Sequence, residues 1–312
     1  MRLQLRKPTI YTLSAAVSLA MLPLSAATHD CRLVPDSIRV DGVLDEPAWK
    51  QIDTLTLLRN NDPAGGTPGV ATKVLVAWGK TNLYVAMIAG TRDIKGLVTQ
   101  HDGAIYDEDA LEMFLDPDGD SKNYLELEWN CLNTSYDETW ASPRNGPDLA
   151  WAPIGMKNAV KVHGTANKSS DTDTGWVVEI AIPWSAVQPY SKAALPPKVG
   201  DKLPLNFYRI DHSGGAEELI AWTPTGVADF HKPDKFGALV FSEAPSAVLP
   251  SHRQGQAAPG HALAQRQARI FFHATGGPPP LSSPSPSANP DLDQARNFDA
   301  GGRESALRPI PR

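Results

Sequence analysis

Between Thr72 and Ser242 the chain is a succession of short apolar runs in which hydrophobic and polar residues alternate, separated by clusters of Gly, Pro, Asn and Asp. A period of two marks strands with one buried face. "TKVLVAWGKTNLYVAMIA" holds two such runs around Gly-Lys-Thr-Asn, which predicts a hairpin. "DALEMFLD" and "NYLELEWN" form the next pair across "PDGDSK", and "GWVVEIAIPW", "LPLNFYRI", "ELIAWTP" and "FGALVF" follow. Helical signals are confined to "DEPAWKQI", with an Asp cap and an early Pro, and to one turn at "PWSAVQPY". Many short strands without strand–helix alternation predict an all-β fold. The expected form is an antiparallel β-sandwich of two packed sheets, immunoglobulin-like or jelly-roll-like, over residues 28–243.

The pattern stops at both ends. "MRLQLRK", the apolar "YTLSAAVSLAMLPL" and then Ser25-Ala26-Ala27 predict a signal peptide over residues 1–27, the apolar run being short for a membrane span. An exported protein is expected, periplasmic or extracellular after cleavage near Ala27, with no membrane span in the mature chain. Residues 244–312 are rich in Pro, Ser, Gly and Ala, and "GGPPPLSSPSPSANP" cannot build a core, so a disordered tail is predicted, interrupted by the apolar "ARIFFHAT". Export gives the cysteines meaning: Cys31 and Cys131 predict one disulfide, with two buried thiols as the alternative. A net charge of −6 argues against nucleic acid or an anionic membrane as partner.

Candidate chemistry concentrates in "IYDEDALEMFLDPDGD", which carries seven carboxylates in sixteen residues. Alternation sends Leu111, Met113 and Leu115 to one face of a strand and Ala110, Glu112 and Phe114 to the other. In "YLELEW" the residues Tyr124, Glu126 and Glu128 share a face. Hairpin pairing would place Glu112 near Glu126 or Glu128, and such a pair could serve a glycosidase as acid and base, hydrogen-bond a sugar, or simply be solvated. "DPDGD" offers Asp116, Asp118 and Asp120 to a turn or to an irregular structural calcium site. The EF-hand pattern fails, because its twelfth position is Leu127. The stretch "SSDTDTG" poses the same choice. No G-x-S-x-G, P-loop or H-E-x-x-H motif occurs, and no catalytic or metal-ligating residue is assigned. Arg209 alternates with Leu205 and Phe207, so it is expected to face inward and to need a carboxylate, for which Glu179 is the candidate.

Several phrases, taken in order, resemble family 9 carbohydrate-binding modules, and in particular exported, free-standing family 9-like proteins. These are "IRVDGVLDEPAW", "VLVAWGKTNLYVAM", "DALEMFLDPDGDSKNYLELEWN", "GWVVEIAIPW" and "DFHKPDKFG", covering about residues 35–242. The resemblance implies a non-catalytic β-sandwich that holds a sugar between two aromatic rings, binds an oligosaccharide or polysaccharide in support of its breakdown, requires no cofactor and can carry structural calcium. By position the first stacking ring falls at Tyr106 and the second at Phe230, with Asp229 and His231 beside it. Glu112 matches a glutamate that bonds sugar hydroxyls, and Glu128 stands where an arginine is expected. Trp140 or Trp151 could supply a further stacking face, whereas Trp49, Trp176, Trp184 and Trp222 suit the core. Two alternatives stay open: a glycoside hydrolase using Glu112 with Glu126 or Glu128, and a b-type haem electron-transfer domain with Met87 or Met113 as axial ligand.

Overall fold

The apolar runs become strands in a computed structural model that describes residues 27–243. The expected signal peptide, apart from Ala27, and the expected disordered tail, including "ARIFFHAT", lie outside the described residues. Fourteen strands form among those described: β1 (Thr28–Leu33), β2 (Leu55–Thr56), β3 (Leu58–Arg59), β4 (Thr72–Trp78), β5 (Asn82–Gly90), β6 (Ala110–Leu115), β7 (Tyr124–Trp129), β8 (Ser135–Ser142), β9 (Asn145–Asp148), β10 (Lys157–His163), β11 (Gly175–Pro183), β12 (Lys202–Asp211), β13 (Glu218–Ala221) and β14 (Gly237–Ser242). They hydrogen-bond into one sheet in the order β10-β11-β5-β4-β1-β14-β12-β6-β7-β8-β9, with β2, β3 and β13 attached at its sides.

The β4–β5 hairpin closes where the turn residues predicted, with Gly79 N–H donating to the Asn82 carbonyl. The sheet is mixed rather than wholly antiparallel. β1 lies parallel to both β14 and β4, Asp30 facing Val240 and Arg32 facing Ala77, because the first strand inserts between two later ones instead of forming a hairpin. "DEPAWKQI" gives a single 3-10 turn, Trp49–Gln51, and "PWSAVQPY" gives one α turn, Trp184–Val187 (α1), followed by a 3-10 turn. In both places Trp49 and Trp184 are buried, so tertiary packing rather than helix propensity fixes the local chain.

The sheet curls so that both of its halves contribute to one core. Val74, Val85 and Val178 from the β4–β5–β11 half join Met113, Leu127 and Phe207 from the β6–β7–β12 half in a single cluster. Met87 and Met113 belong to this core, as do Trp176, Trp184 and Trp222. The opposite face of the first half is covered by residues of the 34–52 segment, including Val34, Trp49 and Ile52. The opposite face of the second half carries an aromatic cluster of Phe114, Tyr124, Tyr208, Phe230 and Phe236.

Two expected pairings do not form. Cys31 and Cys131 are buried free thiols. They sit in the same core, Cys31 on β1 and Cys131 just after β7, and burial pushes the Cys131 thiol up to about 12, which leaves it unreactive. Arg209 does pair with a carboxylate, but with Asp211, and it also donates to Thr72 Oγ1 and the Gly90 carbonyl. Glu179 is committed elsewhere, accepting from the backbone N–H of Asp41 and Gly42 and from Trp49 Nε1.

Candidate functional site

Register across three neighbouring strands builds the site. Glu112 on β6 faces Glu128 on β7, which faces Tyr136 on β8. One row further, Phe114 faces Glu126, which faces Glu138, and Tyr124 then faces Trp140. Directly opposed residues project from the same face, so the strands lay carboxylates and aromatics side by side on the face turned away from the main core. Two loops close the sides. The 3-10 turn Ile105–Asp107 brings Tyr106, and the segment before β14 brings Asp229, Phe230 and His231.

The result is a cleft of about 450 Å³ in which all six residues singled out from the sequence meet: Tyr106, Glu112, Glu128, Asp229, Phe230 and His231. They do not play equal parts. Tyr106 is 45% exposed at the rim, its ring edge-on to Tyr136 at 5.6 Å. Phe230 is buried with its ring stacked on Tyr208 at 4.1 Å, so that face is already covered. His231 shares a hydrogen bond of 2.8 Å between its Nδ1 and the Tyr124 hydroxyl, and burial pushes its pKa down to about 3, which keeps it neutral. Asp229 is a rim carboxylate held by Arg144, through Nε at 3.0 Å and Nη2 at 2.8 Å, and by Lys232 at 3.1 Å.

Glu112, Glu126 and Glu128 form the floor, each with a carboxylate oxygen within 4.8 Å of the others. Glu128 is fully buried and neither of its oxygens has a hydrogen-bond donor, and Oε1 of Glu112 lacks one too. Burial raises the pKa of both groups well above the usual carboxylate range, and like charge on their neighbours adds to the effect. Glu126 is pushed up to about 7, again chiefly by desolvation, while the indole N–H of Trp140 on its Oε2 pulls the other way. A divalent ion would find hard oxygen donors in this group, and the same oxygens can accept from ligand hydroxyls or an amine.

Sequence reasoning missed most of β8. Tyr136, Glu138, Trp140 and Arg144 all line the cleft. Trp140 was foreseen only as one of two options, and Trp151 instead packs edge-on against Tyr190. The alternation Tyr136, Glu138, Trp140 in "SYDETWAS" was the available signal, one aromatic-polar face of a strand. Of the other acids in "IYDEDALEMFLDPDGD", all but Asp107 make structural contacts. Asp116 accepts from the N–H of Gly119 and Ser121, while Asp118 and Asp120 pair with Lys192 at 2.9 and 2.8 Å. Glu108 accepts from the N–H of Leu97, and Asp109 from that of His212. In "SSDTDTG", Asp173 accepts from Ile94 and Thr165.

A larger cleft of about 830 Å³ lies alongside, lined in part by Arg59, Gly69, Asp211 and Glu218. Several of its charged groups are already paired: Arg59 with Glu218 at 2.8 Å and Asp211 with Arg209. No buried side-chain polar atom of its lining lacks a partner, in contrast to the smaller cleft.

Comparison with known proteins agrees with this architecture. The model of the family described as "Carbohydrate family 9 binding domain-like" matches residues 40–244. The chain is 23% identical over 211 residues to an exoglucanase of Acetivibrio thermocellus, an alignment covering 67% of this chain and 17% of that protein. It is 22% identical, again over 211 residues, to an endo-1,4-beta-xylanase of Thermoanaerobacterium saccharolyticum, covering 67% of this chain and 16% of the relative. The chain thus corresponds to a small part of either enzyme. Among solved structures, a candidate carbohydrate-binding protein of Bacteroides uniformis superposes with a TM-score of 0.57 at 19% identity, covering 70% of this chain and all of that one. The family match spans nearly all of the described sheet, and the chain belongs to the carbohydrate family 9 binding domain-like family.

Proposed function

We propose that the cleft binds an oligosaccharide or the end of a polysaccharide chain without cleaving it. The observation that carries this is the pairing, in one cleft, of exposed aromatic surface at Tyr106 with a floor of carboxylate oxygens that lack donors. A pyranose offers C–H faces to aromatic rings and hydroxyl donors at its edge, and the cleft presents the complement of both. Trp140 supports the role of second ring better than Phe230, whose face is taken by Tyr208. Glu112, Glu128, Asp229 and His231 remain the polar contacts of the proposal, joined by Glu126 and Arg144.

Cleavage fits poorly. Hydrolases set two carboxyl groups about 5–5.5 Å or about 6.5–9.5 Å apart on either side of the scissile bond. Here Glu112, Glu126 and Glu128 sit together on two neighbouring strands, one face of a single sheet, rather than on opposite sides of a bound sugar. Haem ligation by Met87 or Met113 fits no better, since both pack in the main core. We read the curled sheet as a β-sandwich, the halves joined through β1 and β14, and "DPDGD" as a turn in which Asp116 holds backbone N–H groups and Lys192 bridges Asp118 and Asp120. We also infer export with removal of residues 1–27. β1 begins at Thr28, so such a cut would leave the strand whole.

Calorimetric titration of the full chain with neutral and charged oligosaccharides tests the binding proposal. Binding that Tyr106→Ala and Trp140→Ala each abolish, in folded proteins, is the expected result. Silence across the panel from a folded protein would refute it.

A further inference from the structure

We propose that the cleft selects sugars bearing a free amine, so that its ligand is a cationic amino-sugar oligomer rather than a neutral one; this rests on the carbohydrate-binding reading above. Charge is the first observation. Carboxylates enter from several elements: Glu112 from β6, Glu126 and Glu128 from β7, Glu138 from β8, and Glu217 at the rim before β13. Against them stands one guanidinium, Arg144, and both of its nitrogens nearest the cleft are taken by Asp229. His231 brings no positive charge, being held neutral by burial. A cleft lined by one sign of charge with low-dielectric walls concentrates ligands of the other sign.

Geometry is the second. Three acceptors arranged tetrahedrally around an ammonium at about 2.8 Å lie about 4.6 Å from one another. The Glu112, Glu126 and Glu128 oxygens lie within 4.8 Å of one another. Glu128, fully buried, receives no donor from outside the group, its own hydrogen bond running to Glu126, and Oε1 of Glu112 is likewise without a donor. Glu126 is the outermost of the three and still has the oxygen not committed to Trp140, so an amine entering from the cleft meets Glu126 first. Glu112 and Glu128, which burial keeps protonated in the empty cleft, can ionise once a cation sits beside them. The rings of Tyr106 and Trp140 line the same cleft and add attraction between a cation and an aromatic face. A neutral sugar can donate hydroxyl hydrogens to these oxygens, but it brings no positive charge to replace the protons that burial makes Glu112 and Glu128 retain in the empty cleft.

The test compares oligomers of one length that differ only in the substituent: fully deacetylated glucosamine oligomers, their N-acetylated counterparts and cello-oligosaccharides. Each is titrated into the full chain at low and at high salt. The amine-bearing series should bind about tenfold tighter at low salt, and the gap should narrow as salt screens it. Glu126→Gln should weaken the amine-bearing series more than the neutral ones and so close the gap between them. If that variant fails to fold, Glu138→Gln provides the same comparison with a smaller loss. Equal affinity for all three series would overturn the proposal and leave carbohydrate binding standing. Absence of any sugar binding to the folded protein would overturn both. A titration with calcium chloride alone is the remaining arm: calcium that raises the melting temperature and displaces the amine would show the three glutamates to be a metal site and overturn the proposal.

Discussion

Replacing Glu126 by glutamine should change how stability depends on pH. In the folded protein burial lifts this carboxyl from its ordinary 4.5 up to about 7. Between those values the folded state keeps a proton that the unfolded chain has released. The group's stabilising effect is therefore complete below about pH 4.5 and is lost as pH rises through about 7. Each pH unit in that window costs ~1.4 kcal/mol, so the whole window is worth ~3 kcal/mol. The groups facing Glu126 are Glu112, Glu128, Glu138, Arg144 and His231, and Glu112 and Glu128 shift in the same direction. Elsewhere Asp93 and Asp171 shift the opposite way, so the informative quantity is the difference between wild type and variant. Glutamine keeps an acceptor for the Trp140 indole but cannot ionise. Glu126→Gln should thus match wild type near pH 5 and exceed it by ~3 kcal/mol near pH 8, a difference in melting temperature on the order of 10 °C for a domain of this size. Thermal and urea unfolding of both proteins across this range is the assay. Parallel pH profiles, or a variant less stable than wild type at pH 8, would refute the assignment of a buried, proton-holding carboxyl.

The two rings expected to stack on sugar should separate by their effect on stability: Phe230→Ala should lose ~3–5 kcal/mol in urea melts, because its ring packs on Tyr208, whereas the exposed Tyr106→Ala should lose less than ~1 kcal/mol. Arg209→Met should destabilise by ~3–5 kcal/mol, since it leaves Asp211 buried without its cation, and Arg209→Met with Asp211→Asn should recover part of that loss. Reducing agent should leave the melting temperature unchanged, because Cys31 and Cys131 are free; a fall equivalent to ~2–4 kcal/mol would reveal a disulfide.

The parts of the fold legible in the sequence are those where alternation is strong. β4, β5, β6, β7, β11 and β12 carry their core residues at every second position, and a place for Glu112 beside Glu126 or Glu128 followed from alternation plus a hairpin, the register choosing Glu128 as its direct partner. β1 was illegible because "THDCRL" is short and mostly polar, and its place between β4 and β14 is set by partners far along the chain. β9 and β10 were missed for a related reason: as an edge pair member and a half-exposed strand they bury few side chains. In the site, types and neighbours could be read but not commitments. Phe230 has the right chemistry for stacking, yet Tyr208 arrives from β12 to cover it. Likewise Arg209 needed a carboxylate, but proximity in the fold favoured Asp211, two residues away on its own strand, over Glu179.

The insertion of β1 between β4 and β14 ties folding to synthesis. Its partners Thr28 and Ala238 are separated by nearly the whole described chain, so this contact carries a large loop-closure entropy and must form late. A chain emerging from the ribosome can build the β4–β5 and β6–β7 hairpins from neighbouring residues, but the seam between the two halves stays open until the last strand appears. Until then β1 and β12 expose unpaired edges, where chaperones or a stray second chain could add a strand. The same delay keeps the polypeptide unclosed for as long as it is incomplete, a property that would suit the export proposed above.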